Sequence, residues 1–356
     1  MDSSSGDSFL AKTEELVAVD VLEVSGWKDN DPTIFDLTIS DTIEGEFQLT
    51  NGFGPNKAPQ VMKEHWNTFI VEDDFKFIAK NGLNAVRIPV GWWTTRDPTP
   101  PPPYVGGSLQ ILDNAFLWAQ KYGLKVILDL HAAPDSQNGV AHSSSRDGTI
   151  EWGKTYESIQ QTLDVIDFFT ARYSKSDSLY AIELLNEPIA PNVTLEALTK
   201  YYKAGYEVVR KYSSKVYVIL CARLKFTKPD HDLPPPQELL SLASDLVGSV
   251  LDVHWYNLFY DIFDNLTVQQ NINFIHTNRT SQLDHFSPLN GPLTYVGEWC
   301  NEWNVKNATK VDYQRFAKTQ LNVYGRATFG WSFWTLKNVQ NNWNLEWMIN
   351  NGYIKL

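Results

Sequence analysis

Cysteine is almost missing from this chain: Cys221 and Cys300 are the only two in 356 residues. Two thiols in so long a chain build no disulfide framework, so both are expected to be reduced and to serve as small hydrophobic fillers. Positive charge is scarce too. Lys and Arg number 30 against 42 Asp and Glu, and the net charge of −12 would repel a phosphate backbone, so no nucleic-acid partner is expected. No apolar run reaches the roughly 18 residues of a membrane helix, so no membrane partner is expected either. A G-x-G-x-x-G or Walker sequence is lacking, which removes the usual sign of a doubly wound nucleotide-binding sheet. The opening Met-Asp-Ser-Ser-Ser-Gly-Asp has no basic or apolar stretch. A signal peptide is therefore not expected, and the expected location is cytoplasmic, or secreted if a signal lies upstream. Sequons at Asn192, Asn265, Asn278 and Asn307 point weakly toward secretion, since such tripeptides arise easily by chance.

Aromatic residues, by contrast, are plentiful, with Trp 13, Tyr 16 and Phe 18. Most belong in a core, which the 43% hydrophobic content can fill. An excess of indole also suits sugars, whose C–H faces stack on flat rings.

From about residue 84, short apolar runs alternate with longer amphipathic ones. The predicted strands are Ala85–Val90, Lys125–Leu130, Leu179–Leu185, Val216–Leu220, Val250–His254, Leu293–Val296 and Phe329–Phe333, with Gly45–Leu49 as an eighth. Helical patterns cover Leu109–Tyr122, Tyr156–Tyr173, Leu195–Tyr212 and Val311–Tyr324. Near-continuous apolar strands separated by helices imply a parallel sheet buried on both faces. Eight β/α units in this length predict an α/β fold, a closed (β/α)8 TIM barrel with its chemistry at the C-terminal strand ends. Residues 1–44 read instead as a small β-rich appendage, leaving 45–356 as the catalytic domain. The proline runs Pro98–Pro103 and Leu233–Pro236 read as rigid surface loops.

Two glutamates stand out at predicted strand ends. Glu187 lies in Ala181-Ile-Glu-Leu-Leu-Asn-Glu-Pro, where Pro188 disfavours helix at the preceding residue. Glu298 lies in Leu293-Thr-Tyr-Val-Gly-Glu-Trp. Two carboxylates delivered by separate strands are what retaining glycoside hydrolysis needs, one as acid/base and one as nucleophile. Asn186 beside the acid is placed to hydrogen-bond a sugar 2-hydroxyl. Further polar or aromatic residues end other strands: Arg87, His131, His254, Tyr256 and Trp334. Each alone reads as ordinary core, and a buried Arg87 needs an anionic partner. Together at one barrel mouth they form a candidate site.

On these residues the chain resembles glycoside hydrolase family 5, and within it the plant exo-β-1,3-glucanase/β-glucosidase branch. The likeness runs from Gly45 to Leu356 through Asn84-Ala-Val-Arg-Ile-Pro-Val-Gly-Trp-Trp, Asp129-Leu-His-Ala-Ala-Pro, Ser136-Gln-Asn-Gly, Val296-Gly-Glu-Trp and Asn351-Gly-Tyr. The resemblance implies Glu187 as acid/base and Glu298 as nucleophile, with Asn186 on the 2-hydroxyl. It implies Arg87 and Tyr256 as partners of the nucleophile, and His131 and His254 as binders of sugar hydroxyls that support the acid/base. Trp334 would underlie the −1 sugar, and Phe259 would form one side of an aromatic clamp. No cofactor or metal is implied; the partner is a β-glucoside or β-glucan oligosaccharide, and a monomer is expected. On the electrostatic side, ionised Glu298 is expected to raise the pKa of Glu187 and keep it protonated.

Departures from the family pattern fall on the aglycone side. Residues 1–44 resemble only the last strands of a fascin-like domain. Asp135 replaces a glycine, Val140 lies near where fungal exo-glucanases place a clamp aromatic, and Leu336 occupies a position where relatives often have an aromatic. A mouth made apolar by Val140, Ala141 and Leu336 would favour hydrophobic aglycones. Transglucosylation of small glucosides, or sugar binding without catalysis on the same fold, are the alternatives to hydrolysis.

Overall fold

A computed structural model describes residues 14–18, 45–225, 237–287 and 291–356. Ten strands occur among them: β1 (Glu14–Ala18), β2 (Ala85–Gly91), β3 (Lys125–Ala132), β4 (Leu179–Glu183), β5 (Ile189–Ala190), β6 (Tyr217–Cys221), β7 (Leu224–Lys225), β8 (Ser249–His254), β9 (Leu293–Glu298) and β10 (Gly330–Phe333). Eight of them close a parallel barrel in the order β1-β10-β9-β8-β6-β4-β3-β2, while β5 and β7 form a separate two-residue ladder. The seven strands expected from residue 84 onward are all present, and the helices Ser108–Tyr122, Tyr156–Tyr173, Leu195–Tyr212 and Lys310–Tyr324 lie where periodicity placed them.

The eighth strand is not where the sequence suggested. Gly45–Leu49 opens the helix Glu46–Thr68, and the barrel is closed by Glu14–Ala18, paired to both β10 and β2. That strand falls inside the stretch expected to be an appendage; residues 1–13 and 19–44 lie outside the described ones. A run such as Glu-Phe-Gln-Leu alternates over too few residues to separate strand from helix by period alone.

Alternation along the strands builds the interior in layers, because successive side chains point to opposite faces. Ala85, Ile127, Ala181, Ile219, Val250, Tyr295 and Phe329 form one apolar cluster inside the barrel. Val86, Ile88, Val126, Leu128, Ile182, Val218, Leu251 and Val296 face the other way into the strand–helix core. Two residues further along the inward face come Arg87, Asp129, Glu183, Cys221 and Asp252, all buried to within about 1% of full enclosure. The barrel is thus plugged by hydrocarbon at the bottom and by a charged layer immediately above, with the mouth beyond.

Candidate active site

Arg87 organises the charged layer. Its Nε donates to Glu183 Oε2 at 2.7 Å and its Nη2 to Glu183 Oε1 at 3.0 Å. Nη2 also meets Asn186 Oδ1 at 2.8 Å and Asp129 Oδ2 at 3.1 Å, while Nη1 reaches up to Glu298 Oε1 at 2.8 Å. A guanidinium without exposure demands such partners, and here three strands supply them. Carboxylates of this layer also steer the histidines: Asp129 Oδ2 is 2.7 Å from His131 Nδ1, and Asp252 Oδ2 is 3.2 Å from His254 Nε2. In each case acid and imidazole are two residues apart on one face of one strand.

Glu298 is aimed by a local irregularity. Asp252 pairs with Tyr295 and Val253 with Val296, but His254 pairs with Glu298, so Gly297 is an extra residue in β9. Such a bulge re-aims the next side chain. Gly297 donates its N–H to Asp252 Oδ1 at 2.8 Å, and a Cβ there would collide with both Asp252 carboxylate oxygens. The carboxylate of Glu298 accepts Arg87 on one oxygen and the Tyr256 hydroxyl on the other at 2.7 Å.

Glu187 lies four residues beyond Glu183, with φ of +44°, a left-handed conformation uncommon outside glycine and often found at functional positions. Its backbone is held on both sides, the N–H on Cys221 Sγ at 3.4 Å and the carbonyl by Asn138 Nδ2 at 3.2 Å. Its Oε1 lies 2.6 Å from His254 Nδ1, and that nitrogen is 3.5 Å from Glu298 Oε2. One side-chain atom from each of Glu187, His254 and Glu298 falls within 4.8 Å of the others. One oxygen of Glu187 and one of Glu298 thus approach within 4.8 Å, closer than the roughly 6.5–9.5 Å that leaves room for an inverting water and consistent with a retaining pair. The three ligand atoms have a spacing that a metal ion also accepts, but double displacement on a sugar requires none.

The charge balance corrects one expectation. The Glu298 charge was expected to raise Glu187 and keep it protonated. Burial does act upward, but the His254 imidazolium outweighs it and holds Glu187 down at about 2. Burial pushes His254 down, yet Glu298, Asp252 and Glu187 together carry it well above the ordinary histidine value. Burial raises Glu298, opposed by His254 and reinforced by Glu187. These opposite directions favour the proton on the imidazole side of the Glu187–His254 contact.

A cavity of about 320 Å³ opens above these groups. Among the expected residues, His131, Glu187, His254, Tyr256, Phe259, Glu298 and Trp334 line it, while Arg87 and Asn186 lie fully buried beneath. Trp334 stacks on His131 with centroids 5.3 Å apart and planes within 9°. Phe259, exposed at the rim, and Tyr256 lean on Trp343, which was not anticipated. His142 was missed as well: its Nε2 is 3.6 Å from Glu187 Oε2, and burial lowers its pKa to about 4, so it is neutral. Asp129, Glu183 and Asp252 were also missed, although the spacing Asp-x-His, repeated on β3 and β8, carries the signal. Of the aglycone-side substitutions, Val140 lines the cavity, but Leu336 is enclosed in the core. Asp135 adopts φ of +66°, the conformation a glycine takes at no steric cost.

A family model described as cellulase, glycosyl hydrolase family 5, matches residues 50–340. The chain belongs to glycoside hydrolase family 5. This hydrolase is 33% identical over 359 residues to probable glucan 1,3-beta-glucosidase A of Aspergillus fumigatus, covering 90% of the chain and 82% of that relative. It is 30% identical to glucan 1,3-beta-glucosidase of Pichia angusta, over 91% of the chain and 81% of the relative. Rutinosidase from Aspergillus niger shares the fold at TM-score 0.74 and 20% identity, over 97% and 99% of the two chains. Endoglucanase Cel5A of Thermotoga maritima shares it at TM-score 0.57 and 18% identity, over 79% and 86%. The hydrolase is a glycosidase, and its carboxylate spacing is that of a retaining one. Among the described residues no helix is long and apolar enough to cross a membrane.

Proposed function

We propose that this hydrolase releases terminal β-linked glucose from β-1,3-glucan oligosaccharides and related β-glucosides by double displacement. The observation that carries the reading is the Glu187–His254–Glu298 cluster, with its atoms within 4.8 Å of one another at the base of a pocket. Glu298, ionised and fixed by Arg87 and Tyr256, attacks the anomeric carbon. Glu187 takes the shared proton from His254 and passes it to the departing glycosidic oxygen. Once Glu298 is an ester its charge is gone, and Glu187 removes a proton from the incoming water. Asn186, its Oδ1 tied to Arg87 and its Nδ2 3.4 Å from His131 Nε2 just beneath the pocket, is assigned to the 2-hydroxyl, and Trp334 forms the floor beneath the sugar. Carboxylates outnumber cations in the layer below, which suits the positive charge that develops on the ring in the transition state.

The relatives described above are fungal, so affiliation with the plant branch and a fascin-like origin for the N-terminal region rest on sequence resemblance alone. A monomeric cytoplasmic enzyme, or a secreted one if a signal precedes this sequence, completes the reading.

The test is glucose release from p-nitrophenyl β-D-glucoside by wild type and Glu298→Ala, with azide added to the mutant. Turnover lost in the mutant and restored as α-glucosyl azide supports Glu298 as the nucleophile of a retaining enzyme. Rescue through a β-azide, or an undiminished mutant, would sink the assignment.

A further inference from the structure

Outside the catalytic pocket, a second open groove of about 390 Å³ lies on the barrel's C-terminal rim. It is lined by Trp92, directly after β2; by Arg96, Thr99 and Pro101 from the loop that follows; by Pro134, two residues after β3; and by Gln161 from the helix Tyr156–Tyr173. We propose that this groove is a second saccharide-binding site, which holds a β-glucan chain while its end is processed in the catalytic pocket. The proposal rests on the glucan reading above and adds a place for the rest of the polymer.

Three observations support a sugar as occupant. First, Trp92 is partly exposed and packs edge-to-face against Trp93 at 6.3 Å and Tyr104 at 5.8 Å. An indole packed in this way loses little freedom when a pyranose stacks on it. Second, the side chains of Arg96, Thr99 and Gln161 make no hydrogen bond or ion pair among the described residues, so a cation, a hydroxyl and an amide are left to meet hydroxyl groups. Third, Pro101, Pro134 and Val165 make the remaining lining apolar, and the two prolines bring no competing N–H donors. Concave sites of about 300–1,000 Å³ with apolar walls and a few convergent polar groups are the usual form of small-ligand sites. Sequence neighbours of the groove also approach the catalytic pocket: Trp93, next to Trp92, lines a small cavity together with His131 and His142, and His131 lines the catalytic pocket as well.

A chain held at two points binds its second contact at high effective concentration, so loss of the groove should raise KM for polymer about fivefold or more while leaving kcat unchanged. The variants are Arg96→Ala/Gln161→Ala, both changes at unpaired side chains, and separately Trp92→Phe. Each is assayed on p-nitrophenyl β-D-glucoside and on a long β-1,3-glucan. Expected is unchanged kinetics on the aryl glucoside with a raised KM on the glucan. Equal changes on both substrates, or none on either, overturn the proposal.

Direct binding provides a second reading. The wild type and the double variant are trapped at Glu298 with an activated 2-deoxy-2-fluoro-β-glucoside and titrated calorimetrically with laminarihexaose. Binding retained by the trapped wild type and lost by the trapped variant supports the groove; equal binding by both, or none by the trapped wild type, overturns it. If the reagent labels neither protein, the active-site assignment is what fails. The unlabelled pair is then titrated instead, where equal affinity again overturns the groove.

Discussion

Tyr256→Phe removes one of the two donors that hold Glu298 ionised and leaves the ring in place. The hydroxyl donates to Glu298 Oε2 at 2.7 Å, while Arg87 Nη1 holds the other oxygen at 2.8 Å. The ring itself rests on Phe259 and Trp343, with centroids 5.5 and 5.4 Å away, contacts that phenylalanine keeps. A hydrogen bond to a charged group contributes about 1.5–3 kcal/mol. If that stabilisation belongs to the attacking carboxylate, its loss lowers kcat/KM by roughly 10- to 150-fold at tenfold per 1.36 kcal/mol. It also raises the Glu298 pKa, since the donor favours only the ionised form. Glu298 already sits above the ordinary carboxylate range through burial and the Glu187 charge. Ionised nucleophile is lost as pH falls through that value, so the acid limb of kcat/KM should move to higher pH in the variant. The assay is a pH–rate profile on an aryl β-glucoside, with the melting temperature as control for packing. A variant within threefold of wild type and with an unmoved acid limb would refute the assigned role.

Other outcomes follow from neighbouring contacts. The basic limb in the wild type reports loss of the proton shared by Glu187 and His254, and should fall above the ordinary histidine value near 6.5 because His254 is raised by its three carboxylates. His254→Gln removes that cation and leaves Glu187 to titrate alone, so the basic limb should shift toward lower pH; an unshifted limb would assign the proton elsewhere. Gly297→Ala should cost activity far more than stability by driving the added methyl into Asp252, which steers His254; a mutant with normal turnover would deny that close approach any role. Leu336→Ala, at a fully buried core position, should lose about 2–5 kcal/mol in denaturant unfolding without altering aglycone preference. A changed preference at unchanged stability would return Leu336 to the mouth.

The barrel was legible in sequence from β2 onward because each strand is a near-continuous apolar run and the runs alternate with amphipathic helical patterns. Both candidate catalytic glutamates were legible because each follows such a run. The closing strand was not: Glu14–Ala18 lies far from its partners in sequence, and no local pattern ranks it above Gly45–Leu49. Val140 and Leu336 looked equivalent as apolar substitutions, yet one lines the cavity and the other is enclosed in the core. Asp129 and Asp252 could have been found from their spacing to His131 and His254, since two residues along a strand return to the same face.

By itself the sequence determined which residues carry charge into the barrel, since a period of two assigns Arg87, Asp129, Glu183 and Asp252 to one inward face. It could not determine where the acid's proton resides. That depends on a 2.6 Å contact between Glu187 and His254, residues 67 positions apart, and on the bulge at Gly297 that turns Glu298 toward the same imidazole. Coulombic interaction between buried groups changes steeply with separations of a few ångströms, and such separations across a barrel are fixed only when the sheet closes.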